Sequence, residues 1–193
     1  MLTVEGLGKR FGSRWIFRNL SFRLNVGDRL VVLGRNGAGK STLLKCIAGL
    51  SRPTHGQVTL PPGDSRLTLG LSGLDQSVYP NLTVAEHLHL AADLRGCDHC
   101  SEELLDEIGL GYARDYQAGE LSTGMRARLK LALATQAKPS VLLLDEPGAG
   151  LDEAGRSLVE RIAKAQSERG CLIIATNEVA ERRLANLELE LAN

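Results

Sequence analysis

Eight residues, Gly34-Arg35-Asn36-Gly37-Ala38-Gly39-Lys40-Ser41, follow the β-like run Arg29–Leu33 and lead into a helical pattern over Ser41–Leu50. They match G-x-x-x-x-G-K-[ST] in the strand–loop–helix setting that such a loop requires. Gly34, Gly37 and Gly39 let the backbone curl until its N–H groups face one anion. The helix N-terminus adds the positive end of its dipole. Lys40 brings a cation to the β- and γ-phosphates of a nucleotide, and Ser41 offers an oxygen to Mg²⁺.

The rest of the chain fits an α/β layout around that loop. Leu2–Val4 and Ile16–Leu24 read as β-like pieces, and Asn25-Val26-Gly27-Asp28 turns the chain before Arg29. Ser51–Gly63 holds three of the six prolines and reads as loop, with a short strand around Gln57–Leu60. Thr83 and Glu86 have capping-box spacing, and Val84, Leu88, Ala91 and Leu94 recur at helical period up to Gly96. Ser101–Ile108 predicts a short helix closed by Gly109. Ser122 caps a predicted helix whose apolar face is Met125, Leu129, Ala132 and Leu133. Val141–Leu144 and Cys171–Thr176 are continuous apolar stretches, as in strands buried on both faces. Between them, Asp152–Arg169 reads as a helix with Leu158, Ile162 and Ala165 inward. The expectation is one α/β domain. A phosphate-loop NTPase core and an N-terminal antiparallel β-subdomain take residues 1–72 and 136–193. An inserted α-helical subdomain takes about 73–135.

Composition removes several functions. Lys plus Arg and Asp plus Glu are 23 each, so the formal net charge is zero. That balance argues against a strongly basic nucleic-acid binder, and no nucleic-acid partner is expected. The longest apolar runs have four or five residues, far short of the ~20 that a membrane span needs. Met1-Leu2-Thr3-Val4-Glu5 lacks a signal-peptide layout, so a cytoplasmic chain is expected, with any membrane role supplied by another polypeptide. Cys46, Cys97, Cys100 and Cys171 are expected as free thiols. Cys97-Asp98-His99-Cys100, with His87 and His89 upstream, is a single C-x-x-C and reads as structural rather than as a metal site.

A second pattern belongs with the phosphate loop. In Val141-Leu142-Leu143-Leu144-Asp145-Glu146-Pro147 a buried strand ends in two carboxylates. Asp145 is suited to hold Mg²⁺, and Glu146 to take a proton from an attacking water. A third, Leu121-Ser122-Thr123-Gly124-Met125, resembles the LSGGQ signature of ATP-binding cassette (ABC) ATPases, and Gly150-Leu151-Asp152 resembles that family's D-loop. The three motifs stand in the family's order, and the resemblance covers essentially the whole chain.

The resemblance implies an ATP-binding subunit of an ABC transporter that hydrolyses MgATP as a head-to-tail dimer, homo- or heteromeric. Each ATP would lie between the Gly34–Thr42 loop, with Arg35, Asn36, Ala38 and Thr42 lining it, and Ser122 and Gly124 of the other copy. Phe11 matches the position that stacks on adenine, with Trp15 and Phe17 as fallbacks. Dimer closure would drive an integral membrane permease from the cytoplasmic face. The chain's compactness is similar to that of haem-exporter ATP-binding subunits, and Ser122–Leu129 also resembles polysaccharide exporters.

Several residues depart from the pattern. The family's histidine after the last core strand is here Asn177, while His55, His87, His89 and His99 all lie upstream of the signature. Asn177 can hydrogen-bond a phosphate oxygen but carries no charge, which implies slow turnover with Glu146 as main base. Gln76 is the only glutamine between Gln57 and Gln117. Counted back from Asn81–Glu86, the family's metal-reaching glutamine falls on Leu74, and a shorter loop would let Gln76 take the role. Thr123 and Met125 replace the signature's usual Gly and Gln. Arg126, Arg128 and Lys130 read as solvated charges. Two other functions stay open at this point: a soluble cassette acting on ribosomes or DNA, and a nucleotide-gated interaction module.

Overall fold

The computed structural model describes residues 1–73, 75–97 and 102–191. In chain order the elements are β1 (Leu2–Phe11), β2 (Arg14–Leu24), β3 (Arg29–Leu33), α1 (Lys40–Ile47), β4 (His55–Thr59), α2 (Ser65–Thr68) and β5 (Leu69–Ser72). Then come α3 (Val84–Arg95), α4 (Glu102–Glu107), a 3-10 turn at Gly111–Ala113, α5 (Thr123–Thr135) and β6 (Val141–Asp145). The chain closes with α6 (Glu153–Arg169), β7 (Cys171–Ala175), α7 (Val179–Arg182) and β8 (Leu187–Glu190).

Five strands form a parallel sheet in the order β5-β6-β7-β3-β8, and three form an antiparallel sheet in the order β2-β1-β4. The α/β architecture with a separate antiparallel sheet is the one expected. Every residue of β6 and β7 is buried. Because strand side chains alternate, the two strands supply two cores at once. Leu142, Leu144, Leu172 and Ile174 face Leu88, Leu129 and Leu158 of the helices. Val141, Leu143, Ile173 and Ala175 face Leu43 and Leu44 of α1 together with Leu2, Val4 and Phe17 of the antiparallel sheet.

The structure extends and corrects the sequence reading. β1 runs on to Phe11, although Gly6, Gly8, Lys9 and Arg10 interrupt its alternation. The pairing absorbs them by register shifts against β2. β5 and β8 were not expected. Each has four residues, and each adds to a sheet edge, β5 beside Val141–Leu144 and β8 beside Leu30–Leu33.

On α3 the capping box is present: Glu86 N–H donates to Thr83 Oγ1 at 3.1 Å and Thr83 N–H to Glu86 Oε2 at 2.7 Å. Leu94, however, is exposed, while His87 and Ala92 take inward positions. Leu131 and Ala134 join Leu129 and Ala132 in the interior, because α5 is packed on two sides. Val159 and Ala163 are inward on α6, where Ala165 is only half-buried.

His87 uses both ring nitrogens, Nδ1 toward Thr83 O at 2.8 Å and Nε2 accepting from Tyr79 N–H at 2.9 Å. It is a satisfied core histidine. His99 and Cys100 lie outside the described residues. Cys46 and Cys171 are buried free thiols, and burial pushes Cys171 up to about 11. Among the described residues no helix is long and apolar enough to cross a membrane.

Candidate functional site

Strand β3, between β7 and β8 in the parallel sheet, ends at Leu33, and the chain turns through Gly34–Gly39 into α1, whose first residue is Lys40. Ala38 N–H closes the turn on Arg35 O at 3.0 Å. Gly39 sits before the helix at φ 100°, and a Cβ there would stand 2.2 Å from Ile16 Cγ2. The antiparallel sheet therefore packs directly against the loop, and only glycine fits. The first turn of α1 has no acidic residue to compensate the helix dipole, which leaves its positive end for an anion.

Lys40 is buried at 6% exposure. Its ammonium has three hydrogens, and three oxygens surround it: Gly34 O at 2.8 Å, Asn177 Oδ1 at 2.7 Å and Glu146 Oε1 at 3.4 Å. A buried cation without such partners would be costly. The cluster joins residues from three separate strand ends, β3, β6 and β7. Asn177 also donates from Nδ2 to Asn36 Oδ1, bridging the phosphate loop.

Glu146 follows β6 at φ 48°, a left-handed conformation rare for a side-chain residue. Its N–H donates to Ala175 O at 2.7 Å. Its Oε2 accepts from Thr176 Oγ1 and from Asn177 N–H, both at 3.3 Å. Strain of this kind persists only where the surroundings over-determine it.

Asp145 is 7% exposed, and its Oδ1 is buried without a hydrogen-bond partner. Burial pushes its carboxyl above the ordinary range, and the Glu146 charge adds to this, while the Ser41 side chain favours the anion. An orphaned carboxylate oxygen beside a serine hydroxyl fits a hard divalent cation such as Mg²⁺. Gln76 is exposed, with Oε1 accepting from Gly73 N–H at 3.2 Å. It lines a cleft of about 340 Å³ together with Asp145, Glu146, Thr123, Arg126 and Lys130. Leu74 lies outside the described residues.

Ser122 is the N-cap of α5, its Oγ accepting from Met125 N–H at 3.2 Å. Gly124 packs close to Gly150 O. Among the described residues no hydrogen bond joins Ser122 or Gly124 to the Gly34–Ser41 loop of the same chain. Arg128 and Lys130 are not simply solvated, which corrects the sequence reading. Arg128 Nη2 lies 2.7 Å from Asp152 Oδ1, tying α5 to the N-cap of α6, and Lys130 Nζ reaches Gly73 O at 3.5 Å.

Phe11 is 57% exposed at the end of β1, with Lys9 Nζ 4.8 Å above its ring. Phe17 is in the core and cannot stack on a ligand. Trp15 is half-buried and engaged by His55, at 5.6 Å between ring centroids, and by the Arg18 guanidinium at 4.5 Å.

Sequence reasoning missed three contributors. Thr176 was read as the last strand residue, yet β7 ends at Ala175 and the Thr176 hydroxyl serves Glu146. Asp75 pairs with Lys45 of α1, which holds its carboxyl below the usual range. Glu181 is buried amid a charged stretch, where composition pointed to solvent.

The profile of the ABC transporter family matches residues 17–149. The cytochrome c biogenesis ATP-binding export protein CcmA of Bradyrhizobium diazoefficiens is 38% identical over 174 residues, covering 88% of this chain and 87% of that protein. The aliphatic sulfonates import ATP-binding protein SsuB 1 of Burkholderia cenocepacia is 36% identical over 186 residues, covering 93% of this chain and 57% of that longer protein. A solved ATP-binding subunit of an ABC transporter superposes with a TM-score of 0.89 at 26% identity, over 98% of this chain and 85% of that one.

Proposed function

The chain belongs to the ABC transporter family as an ATP-binding subunit, and from this premise we propose how it works. It hydrolyses MgATP slowly, as a head-to-tail dimer docked peripherally on a membrane permease at the cytoplasmic face. The observation that carries the reading is the ring of three oxygens on Lys40. Those oxygens hold the ammonium at the head of the phosphate loop, and phosphate oxygens replace some of them when ATP binds.

In this reading the N–H groups of Gly34–Ser41, with Arg35, Asn36, Gly37, Ala38, Gly39 and Thr42, cradle the phosphates, and Lys40 neutralises them. The exposed Phe11 ring takes adenine. Ser41, Asp145 and Gln76 would hold Mg²⁺, which when bound neutralises charge on the β- and γ-phosphate oxygens. Freed from Lys40, Glu146 accepts the proton of the attacking water, held in place by Thr176 and Asn177 N–H. Ser122 and Gly124 of the partner copy close on the γ-phosphate. Asn177 hydrogen-bonds the phosphate without adding charge, so turnover is slow.

The relatives are named for transport, both export and import, which favours a transporter motor over a ribosome- or DNA-directed ATPase. Similarity to cytochrome c biogenesis export proteins over most of both chains supports an export partner of that kind. The test is MgATP turnover of the purified chain against protein concentration, beside Glu146→Gln. A rate rising faster than linearly and lost in the variant is expected. A rate equal to that of the variant overturns the reading.

A further inference from the structure

Glu181 is a carboxylate that none of the roles above uses. It sits on α7, four residues beyond Asn177, and is 7% exposed. Its Oε1 accepts the Gly148 N–H at 2.8 Å across 33 residues of sequence. The approach is so close that a Cβ at Gly148 would lie 2.5 Å from that oxygen. Its Oε2 is buried and has no hydrogen-bond partner of good geometry, the neighbouring Thr176 hydroxyl donating instead to Glu146 Oε2. A buried carboxylate with one oxygen unsatisfied is expensive to keep unless its position matters.

Gly148 belongs to two consecutive turns. Ala149 N–H closes on Glu146 O at 3.0 Å, and Leu151 N–H on Gly148 O at 3.1 Å. These turns connect Glu146 to Gly150, which packs on Thr123, and to Asp152, which caps α6 and pairs with Arg128. The other side of the Glu181 carboxyl faces Thr176, whose hydroxyl donates to Glu146 Oε2 and accepts from Glu178 N–H at 2.9 Å. Glu181 therefore grips the turn on one side of Glu146 and borders the hydroxyl that orients its carboxylate on the other.

We propose that Glu181 is a positioning residue for ATP hydrolysis, fixing the Glu146–Asp152 turn through the Gly148 N–H so that Glu146 and the signature-packed Gly150 keep one geometry. The proposal rests on the hydrolytic reading above. It makes the acceptor atom, and not the negative charge, the functional feature. Three variants separate these. Glu181→Gln keeps an oxygen at Oε1. Glu181→Asp keeps the charge but withdraws the oxygen by about 1.5 Å, one C–C bond. Glu181→Ala removes both.

Turnover and fluorescent-ATP affinity are to be measured on the full chain. Glu181→Gln is expected to retain wild-type kcat within about twofold. Glu181→Asp and Glu181→Ala are expected to lose on the order of tenfold or more in kcat, with nucleotide affinity within about twofold of wild type. If the alanine variant does not fold, the glutamine–aspartate contrast decides alone. Wild-type kcat in Glu181→Asp, or a loss in Glu181→Gln as large as in Glu181→Asp, overturns the proposal while leaving the functional reading intact. A kcat loss matched by lost nucleotide affinity also overturns it, because that marks general damage to the fold. A wild-type chain without turnover overturns the functional reading itself, and this proposal with it.

Discussion

Lys40 Nζ donates to Asn177 Oδ1 at 2.7 Å, joining the head of the phosphate loop to the residue that follows Thr176. The same amide donates to Asn36, so one neutral side chain spans the loop. Removing it leaves Lys40 one oxygen short and the loop unbridged. Asn177→Ala should lower kcat by about 10²-fold, as for loss of one preorganised electrostatic contact. Asn177→His introduces a group that carries charge and a proton, and turnover should rise on the order of tenfold. Steady-state kinetics on both variants checks this. A histidine variant no faster than wild type would overturn the proposed link between Asn177 and turnover rate.

Glu146 is fastened by its own backbone to Ala175 and by its carboxylate to Thr176 and Asn177. Glu146→Gln keeps the shape but cannot accept a proton. Turnover should fall by about 10²-fold or more, while ATP still drives dimer formation. Light scattering with and without MgATP reads the second part. A variant that hydrolyses at the wild-type rate would remove Glu146 from the base role.

The phosphate loop and the Asp145-Glu146 pair were legible because each is a contiguous motif whose chemistry is local. The buried strands β6 and β7 were legible because four apolar residues in a row in one and five in the other leave no solvent face. β5 and β8 were not, since four residues at a sheet edge carry no period of their own. Thr176 and Glu181 escaped for a different reason. Their roles come from residues about 30 positions away, Glu146 for one and Gly148 for the other, and no local pattern encodes such a contact. Leu94 was misplaced because α3 turns His87 and Ala92 inward, where the satisfied His87 ring replaces an apolar side chain.

Asp145 Oδ1 has no protein partner, and burial with the Glu146 charge makes its anion unfavourable without a cation. Asp145→Asn should therefore raise the Mg²⁺ concentration for half-maximal turnover by about tenfold or more. Nucleotide affinity in EDTA should stay near wild type, since the phosphate loop is untouched. A Mg²⁺ titration of turnover, with a fluorescent-nucleotide titration in EDTA, separates the two effects. An unchanged Mg²⁺ requirement would exclude Asp145 as a ligand.

Ser122 has a structural duty as well as a proposed one, because its Oγ caps α5 through Met125 N–H. Ser122→Ala should cost about 1 kcal/mol, or about 2–4 °C in Tm. Ser122→Asp keeps a good cap, so Tm should stay near wild type. Its carboxylate, however, would face the γ-phosphate of the other copy. Turnover should then collapse in a protein of unchanged stability. Full turnover in Ser122→Asp would leave Ser122 as a cap alone.

Glu181 gives the chain a stability that depends on pH. Burial raises its carboxyl above the ordinary 4.5, and the Glu178 and Glu146 charges add to this, against the Thr176 side chain and the Gly148 N–H. A carboxyl raised in the folded state binds its proton more tightly there than in the unfolded chain. Its stabilising contribution is therefore complete below about pH 4.5 and is lost as pH climbs through the folded value. Above the folded value the ionised group costs stability that a neutral amide of the same shape would not. Glu181→Gln should thus melt higher than wild type at pH 8. The gap should narrow as pH falls through the folded value toward 4.5, because protonation makes the two side chains alike. Thermal melts of both proteins across that range provide the test, and taking the difference cancels every other titrating group to first order. A gap independent of pH would mean that the Glu181 carboxylate is not held against its own solvation.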